Sequence, residues 1–201
     1  MKHILHVISS IQGNESYSKK LGNAIIEKIQ QKYDGSTVEE LNLTEKEIPH
    51  LDAEFLGKLF TPSNLFNSDK KQSIHFADDF LKQLQNADII VIGAPLYNFT
   101  IPSQLKSWID YITRPGITFG YGEDGRPIGL VTGKKIYIAM ASGGIYSEGP
   151  DKVNDFVVPY LQAFLGFLGM TDLTAFRAEG LKVAGIKELA MEKAIKSIVI
   201  D

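Results

Sequence analysis

The sequence predicts an α/β fold, a doubly wound five-stranded parallel sheet in the order 2-1-3-4-5. Three observations lead there. Short β-rich runs alternate with helical patterns along the chain. One run, Ile89-Ile90-Val91-Ile92, is continuously apolar, as a strand covered on both faces must be. The 201 residues contain no internal repeat, linker or low-complexity tract, so a single domain over 1–201 is expected.

Each element has its own signal. Ile4 to Ser9 reads as the first strand, and Ser18 to Tyr33 as a helix with Leu21, Ala24, Ile25 and Ile29 on one face. Thr37 to Leu43 is the second strand, and the mixed run Val38, Glu39, Glu40, Leu41 marks it as an edge. Ser73 to Gln85 carries the stripe Ala77, Phe80, Leu81 and Leu84, and Asp88 to Gly93 is the third strand. Pro102, pre-set for a first helical turn, opens a helix to Thr113 with Leu105, Trp108, Ile109 and Ile112 inward. Ile117 to Val131 reads as a hairpin insertion before the fourth strand, turning at Asp124-Gly125. Lys135 to Ala141 and Leu173 to Ala178 are the fourth and fifth strands, and Ile186 to Val199 closes with a helix. Right-handed crossovers then give the strand order.

Composition narrows the function. Hydrophobic residues make up 44% and charged residues 22%, with 18 Gly and 8 Pro, which excludes collagen-like and disordered chains. The net charge of -3 leaves no basic excess for a phosphate backbone, so no nucleic acid partner is expected. Cysteine is absent, which removes thiolate nucleophiles, disulfides and Cys-ligated metals together and fits a reducing compartment. The apolar stretch of Met1 to Ile8 is too short for a signal peptide, and Phe156 to Met170, with Pro159 and Gln162, is too short for a membrane span. A cytoplasmic protein with no membrane partner is expected. His3 and His6 lie three apart on a strand and face opposite ways, and His50 and His75 have no carboxylate pattern, so no metal site is expected.

In an open α/β sheet a ligand binds outside the carboxyl ends of the strands, where the winding switches direction. Three loops meet there. Ser9 to Ser18 brings several hydroxyls and free amides into a helix start, which suits a phosphate without Lys or Arg. Helix capping by Ser16 or Ser18 would use the same residues, but a place after the first strand favours the phosphate. Neither G-x-G-x-x-G nor G-x-x-x-x-G-K-[ST] is present, which favours a monophosphate over a pyrophosphate. In Pro95-Leu96-Tyr97-Asn98-Phe99, two aromatics bracket an amide residue and could lie along a planar ring. Ala141-Ser142-Gly143-Gly144 lets backbone approach a flat ligand. Anchor, walls and N–H donors together are what a flavin mononucleotide requires.

These motifs resemble the FMN-dependent NADH azoreductases, also described as NADH:quinone reductases. The resemblance spans essentially the whole chain. It includes Ile101-Pro102-Ser103-Gln104-Leu105-Lys106, Leu130 to Lys135, and Pro159-Tyr160-Leu161 with Phe164-Leu165-Gly166-Phe167. It implies a flavodoxin-like FMN-binding domain with FMN held by Ser10, Ser16, Tyr17 and Ser18, by Leu96, Tyr97, Asn98 and Phe99, and by Ala141, Ser142, Gly143 and Gly144. It also implies NADH as co-substrate and a homodimer whose active sites share residues from both chains. Relatives often carry Arg where this chain has Ser142 and Gly120, which bears on substrate preference and nicotinamide selectivity.

The expected function is two-electron transfer from NADH through FMN to quinones or azo compounds, in ping-pong order. No acid–base side chain is needed, because the chemistry belongs to the flavin. Phe99, Phe119 and Tyr121 are expected to form an apolar substrate pocket. The nearly all-apolar run Phe156 to Leu168 exceeds what one sheet face requires and points to a second subunit. The alternative is a non-enzymatic flavodoxin-like electron carrier or flavin-binding protein. A phosphoester hydrolase built on the serine loop would lack both metal ligands and a nucleophile.

Overall fold

The computed structural model describes residues 1–45, 47–59 and 71–201. Its centre is a parallel sheet built from β1 (His3–Ile8), β2 (Thr37–Asn42), β3 (Ile89–Pro95), β6 (Lys135–Ala141) and β7 (Asp172–Ala178), ordered β2-β1-β3-β6-β7. Counting only these five strands, that is the order 2-1-3-4-5. The reversal between β1 and β3 opens the crevice in which ligands of such sheets bind.

Alternation along each strand divides the core in two. Leu5, Val7, Ile90, Ile92, Ile136, Ile138 and Met140 face one layer of helices: α3 (Lys71–Asn86), α4 (Ser103–Ile112) and α5 (Val158–Phe167). Ile4, Ile89, Val91, Tyr137 and Ala139 face the other, α1 (Tyr17–Lys32) and α6 (Lys187–Lys196). Every residue of β3 is therefore buried, the reason its sequence reads as an unbroken apolar run. A short helix, α2 (Ala53–Leu59), also places Phe55 in the first layer.

Pro102 sits at the N-cap of α4 with extended backbone, one residue outside the turn the sequence suggested. A proline there needs no N–H, so the helix loses nothing. Between α4 and β6 the chain forms an antiparallel pair, β4 (Phe119–Tyr121) with β5 (Pro127–Gly129). The Gly122 N–H donates to the Arg126 carbonyl, and Gly125 takes a left-handed conformation. Gly129 lies against the backbone of Leu168 and Gly169, and the Val131 N–H donates to the Leu168 carbonyl at 2.9 Å, so the excursion is pinned to the end of α5.

His6 is buried on β1 beneath α1, and a Cβ added to Gly22 would stand 2.5 Å from its Nε2. Glycine in mid-helix lets α1 settle onto the ring. Burial, with a smaller contribution from Lys19, lowers the His6 pKa from 6.5 to about 4. His3 bonds Thr37 and Glu39 on the other face, and His50 is exposed. The side chain of His75 lies outside the described residues. Among the described residues, no group of three or more His, Cys, Asp or Glu could hold a metal, and no helix is long and apolar enough to cross a membrane.

Candidate active site

The loops following β1, β3, β6 and β7 converge at the carboxyl edge of the sheet. They enclose a cleft of about 320 Å³ lined by Ser10, Gln12, Ser16, Tyr17, Ser18, Pro95, Leu96, Tyr97, Ala141, Ser142, Gly143, Leu181 and Lys182.

The first wall is the serine loop. Ser9 Oγ donates to the Gly93 carbonyl at 2.6 Å, which ties this loop to β3. Ser16 is the N-cap of α1, accepting from the Lys19 N–H at 3.1 Å, and its Oγ lies 3.1 Å from that of Ser18. Ser10 Oγ stands 3.2 Å from the Tyr97 hydroxyl. Ser10, Ser16 and Ser18 are buried by their neighbours yet line the cleft. Hydroxyls and the positive end of α1 thus face one point, an arrangement that accepts an anion. Neither neighbouring lysine is spare, because Lys19 pairs with Glu40 and Lys20 with Glu15.

The second wall is a tight turn. The Tyr97 and Thr100 backbones exchange hydrogen bonds of 2.9 and 3.1 Å, and the two residues between them, Asn98 and Phe99, have φ of 49° and 71°. Two positive φ values in succession belong to a type I′ turn, for which Asn is suited and Phe is not. Strain of roughly 1 kcal/mol or more is stored at Phe99. Among the described residues, the N–H groups of Asn98 and Phe99 meet no protein acceptor. The Phe99 carbonyl accepts from the Phe156 N–H at 3.1 Å, and its ring meets Tyr146 edge-on at 6.2 Å.

The third wall is the Ser142–Gly144 loop, held from below by the strand ends. The Ser142 N–H donates to the Ala178 carbonyl, and Ser142 Oγ donates to the Gly144 carbonyl at 2.9 Å. The loop after β7 covers its other side: the Gly180, Leu181 and Lys182 N–H groups donate to the carbonyls of Gly144, Ser142 and Gly143.

Of the residues that sequence analysis assigned to a cofactor, Ser10, Ser16, Tyr17, Ser18, Leu96, Tyr97, Ala141, Ser142 and Gly143 line this cleft. Asn98 and Phe99 form the adjoining turn, and Gly144 borders a neighbouring hollow with Ile145 and Val183. Of the aromatics named for a substrate pocket, Phe119 and Tyr121 meet edge-on with ring centroids 5.9 Å apart, and Phe99 lies on the Tyr97–Thr100 turn. Phe99 is 47% exposed and Tyr121 70%, while Phe119 is 7% exposed and packs on Phe167 with ring centroids 4.8 Å apart. Phe119 lines a separate apolar groove of about 290 Å³ with Leu51, Leu56, Ile109, Tyr160 and Phe164. Sequence reasoning did not single out Gln12, Leu181 or Lys182. For the last two the signal was their place just after the fifth strand, at the same sheet edge.

Comparison with known proteins agrees with this geometry. The profile of the Flavodoxin-like fold family matches residues 2–199. An FMN-dependent NADH:quinone oxidoreductase of Herminiimonas arsenicoxydans is 43% identical over 181 residues, 90% of this chain and 88% of that protein. The azoreductase of Bacillus anthracis str. Sterne superposes with a TM-score of 0.86 at 32% identity, covering 98% of both chains. The FMN-dependent NADH-azoreductase of Bacillus anthracis str. Ames Ancestor, solved in complex with FMN, superposes with a TM-score of 0.84 at 28% identity, covering 98% of this chain and 97% of that one. The chain belongs to the Flavodoxin-like fold family and, within it, to the FMN-dependent NADH:quinone oxidoreductases and azoreductases.

Proposed function

We propose that this protein is a flavoenzyme that transfers two electrons from NADH, through bound FMN, to quinones and azo compounds. The observation that carries the reading is the convergence of a serine-lined helix start, the Pro95–Tyr97 end of β3 with its adjoining tight turn, and a glycine loop on one cleft. The residues fit the cofactor. A monophosphate suits the hydroxyls of Ser10, Ser16 and Ser18 at the positive end of α1, and Tyr17 borders it. A flat ring suits the Leu96 to Phe99 turn on one side and Ala141 to Gly144 on the other, where a side chain at Gly143 would press on Lys182.

FMN supplies the redox chemistry when bound, accepting a hydride from NADH and giving two electrons to the acceptor in ping-pong order. The protein's part is positioning and electrostatics. The left-handed turn at Asn98 and Phe99 leaves two backbone donors without an acceptor among the described residues, and such pre-set donors need no rearrangement during reaction. Ser142, whose hydroxyl is spent on the Gly144 carbonyl, braces the glycine loop. Phe99 at the rim and Tyr121 on the β4–β5 excursion are proposed as the apolar walls that meet substrate, with the buried Phe119 packed edge-on against Tyr121. The groove beside Tyr160 and Phe164, together with the exposed Phe156, supports a homodimer packed on the 156–168 segment. The lack of cysteine supports a cytoplasmic location.

Purified protein should be yellow or become so with FMN. Anaerobic NADH should bleach it in stopped flow, and steady-state double-reciprocal plots should be parallel. Protein that stays colourless after incubation with FMN ends this reading. Intersecting plots end the ping-pong order, and a monomer by light scattering ends the dimer. The alternative, a flavodoxin-like electron carrier, requires slow NADH oxidation with menadione when no partner protein is added.

A further inference from the structure

Among the described residues, Lys182 is the only charged one lining the serine–glycine cleft. Its backbone is fixed, the N–H donating to the Gly143 carbonyl at 2.9 Å while Gly180 and Leu181 donate to Gly144 and Ser142. Its side-chain stem runs along Gly143, where an added Cβ would stand 3.1 Å from Cδ and 3.3 Å from Cγ. Among the described residues the ammonium pairs with no carboxylate. The nearest carboxylate in sequence, Glu179, is already engaged by Arg177 and the Tyr146 N–H. Lys182 is exposed, and its stem along Gly143 puts a cation without a carboxylate partner on the glycine side of the cleft.

That side has a chemical need for it. A hydride brings two electrons and one proton, so a neutral ring that accepts it carries one more negative charge. Backbone amides alone offer partial charges, and a full cation lining the same cleft adds to them. We propose that Lys182 is the electrostatic residue that holds the negative charge FMN gains on reduction, setting how much more tightly the cleft binds the reduced than the oxidised form. This rests on the flavin reading above and assigns to the loop after β7 a role that the serine and glycine loops do not cover.

The test is a pair of dissociation constants. Oxidised FMN is titrated by fluorescence quenching, and the reduced-form constant follows from the bound midpoint potential, measured against a reference dye and compared with free FMN. Wild type, Lys182→Met and Lys182→Arg are compared, with both FMN and riboflavin as ligand. Lys182→Met should weaken the reduced form about tenfold more than the oxidised form, equivalent to 1.4 kcal/mol. The effect should be the same for riboflavin, and Lys182→Arg should restore most of it. Equal weakening of both redox states of FMN with riboflavin unaffected would make Lys182 a phosphate ligand and overturn the proposal, as would no change at all. Wild-type protein that binds no FMN would overturn the flavin reading itself, a result readable before any variant is made.

Discussion

Arg177 Nη2 donates to Asp155 Oδ2 at 2.6 Å, joining the last strand of the sheet to the start of α5. Oδ1 of the same carboxylate accepts from the N–H groups of Val157 and Val158, two donors at the beginning of that helix. Arg177 also reaches Glu179, whose Oε1 accepts from the Tyr146 N–H at 2.8 Å, and the Tyr146 ring rests against Phe99. One guanidinium thus braces a helix and, through Glu179, the loop beside the candidate flavin site.

Replacing Arg177 by Met should therefore cost about 3 kcal/mol, because Asp155 would keep a nearly buried charge with no cation. The measurement is urea unfolding. Glu179→Gln, which keeps an acceptor for Tyr146, should cost much less. Equal losses in the two variants would contradict the assignment of Asp155 as the sensitive partner.

Acid should destabilise the fold through His6. Its folded pKa of about 4 lies below the ordinary 6.5 because burial disfavours the charged ring, so between those pH values the unfolded chain takes up a proton that the folded chain refuses. Stability is full above pH 6.5 and falls as pH drops through the window, by roughly 3 kcal/mol at its lower end. Thermal melts at pH 7 and pH 4.5 should show a larger drop in Tm for wild type than for His6→Leu. Identical drops would mean that other groups carry the acid sensitivity.

The β4–β5 excursion depends on Gly129. A Cβ there would overlap the backbone of Leu168 and Gly169, and backbone cannot swing aside as a flexible side chain can. Gly129→Ala should cost about 2 kcal/mol, a typical figure for overpacking. Gly120→Ala, one strand away and facing only Leu130 Cδ1 at 3.8 Å, should change stability by less than about 0.5 kcal/mol. Differential scanning calorimetry separates the two.

Ser16 has two duties that can be measured apart. As the α1 cap it should contribute about 1 kcal/mol, seen as a lower Tm in Ser16→Ala without ligand. As part of the proposed phosphate cradle its loss should weaken FMN by about tenfold while leaving riboflavin nearly unchanged, a difference of 1.4 kcal/mol. Equal weakening of both ligands would place Ser16 away from the phosphate.

Much of the architecture was legible from residue order alone, because hydrophobic periodicity is local. Lys135 to Ala141 appears as a strand with the boundaries read for it, and the alternation of Leu5 and Val7 against Ile4 and His6 already separates the two sheet faces. The serine, aromatic and glycine loops were found because their positions after strands are themselves sequence facts. Ala53–Leu59 was not read, since seven residues interrupted by Gly57 carry too few turns for a helical period to show.

What only the tertiary structure decided is which distant residues share a space. Lys182 reaches Gly143 because Ala141 pairs with Ala178 across parallel strands, a register set by packing of the whole sheet and invisible along either segment. Phe99 and Phe119 differ by 20 positions and are both aromatic, yet docking of the β4–β5 excursion on α5 puts Phe119 in another groove. His6 is an ordinary strand residue until Gly22 brings α1 down upon it. Local pattern specifies which face of an element is apolar, but it carries no information about what that face will meet, and proximity across the sheet edge is a property of the folded chain.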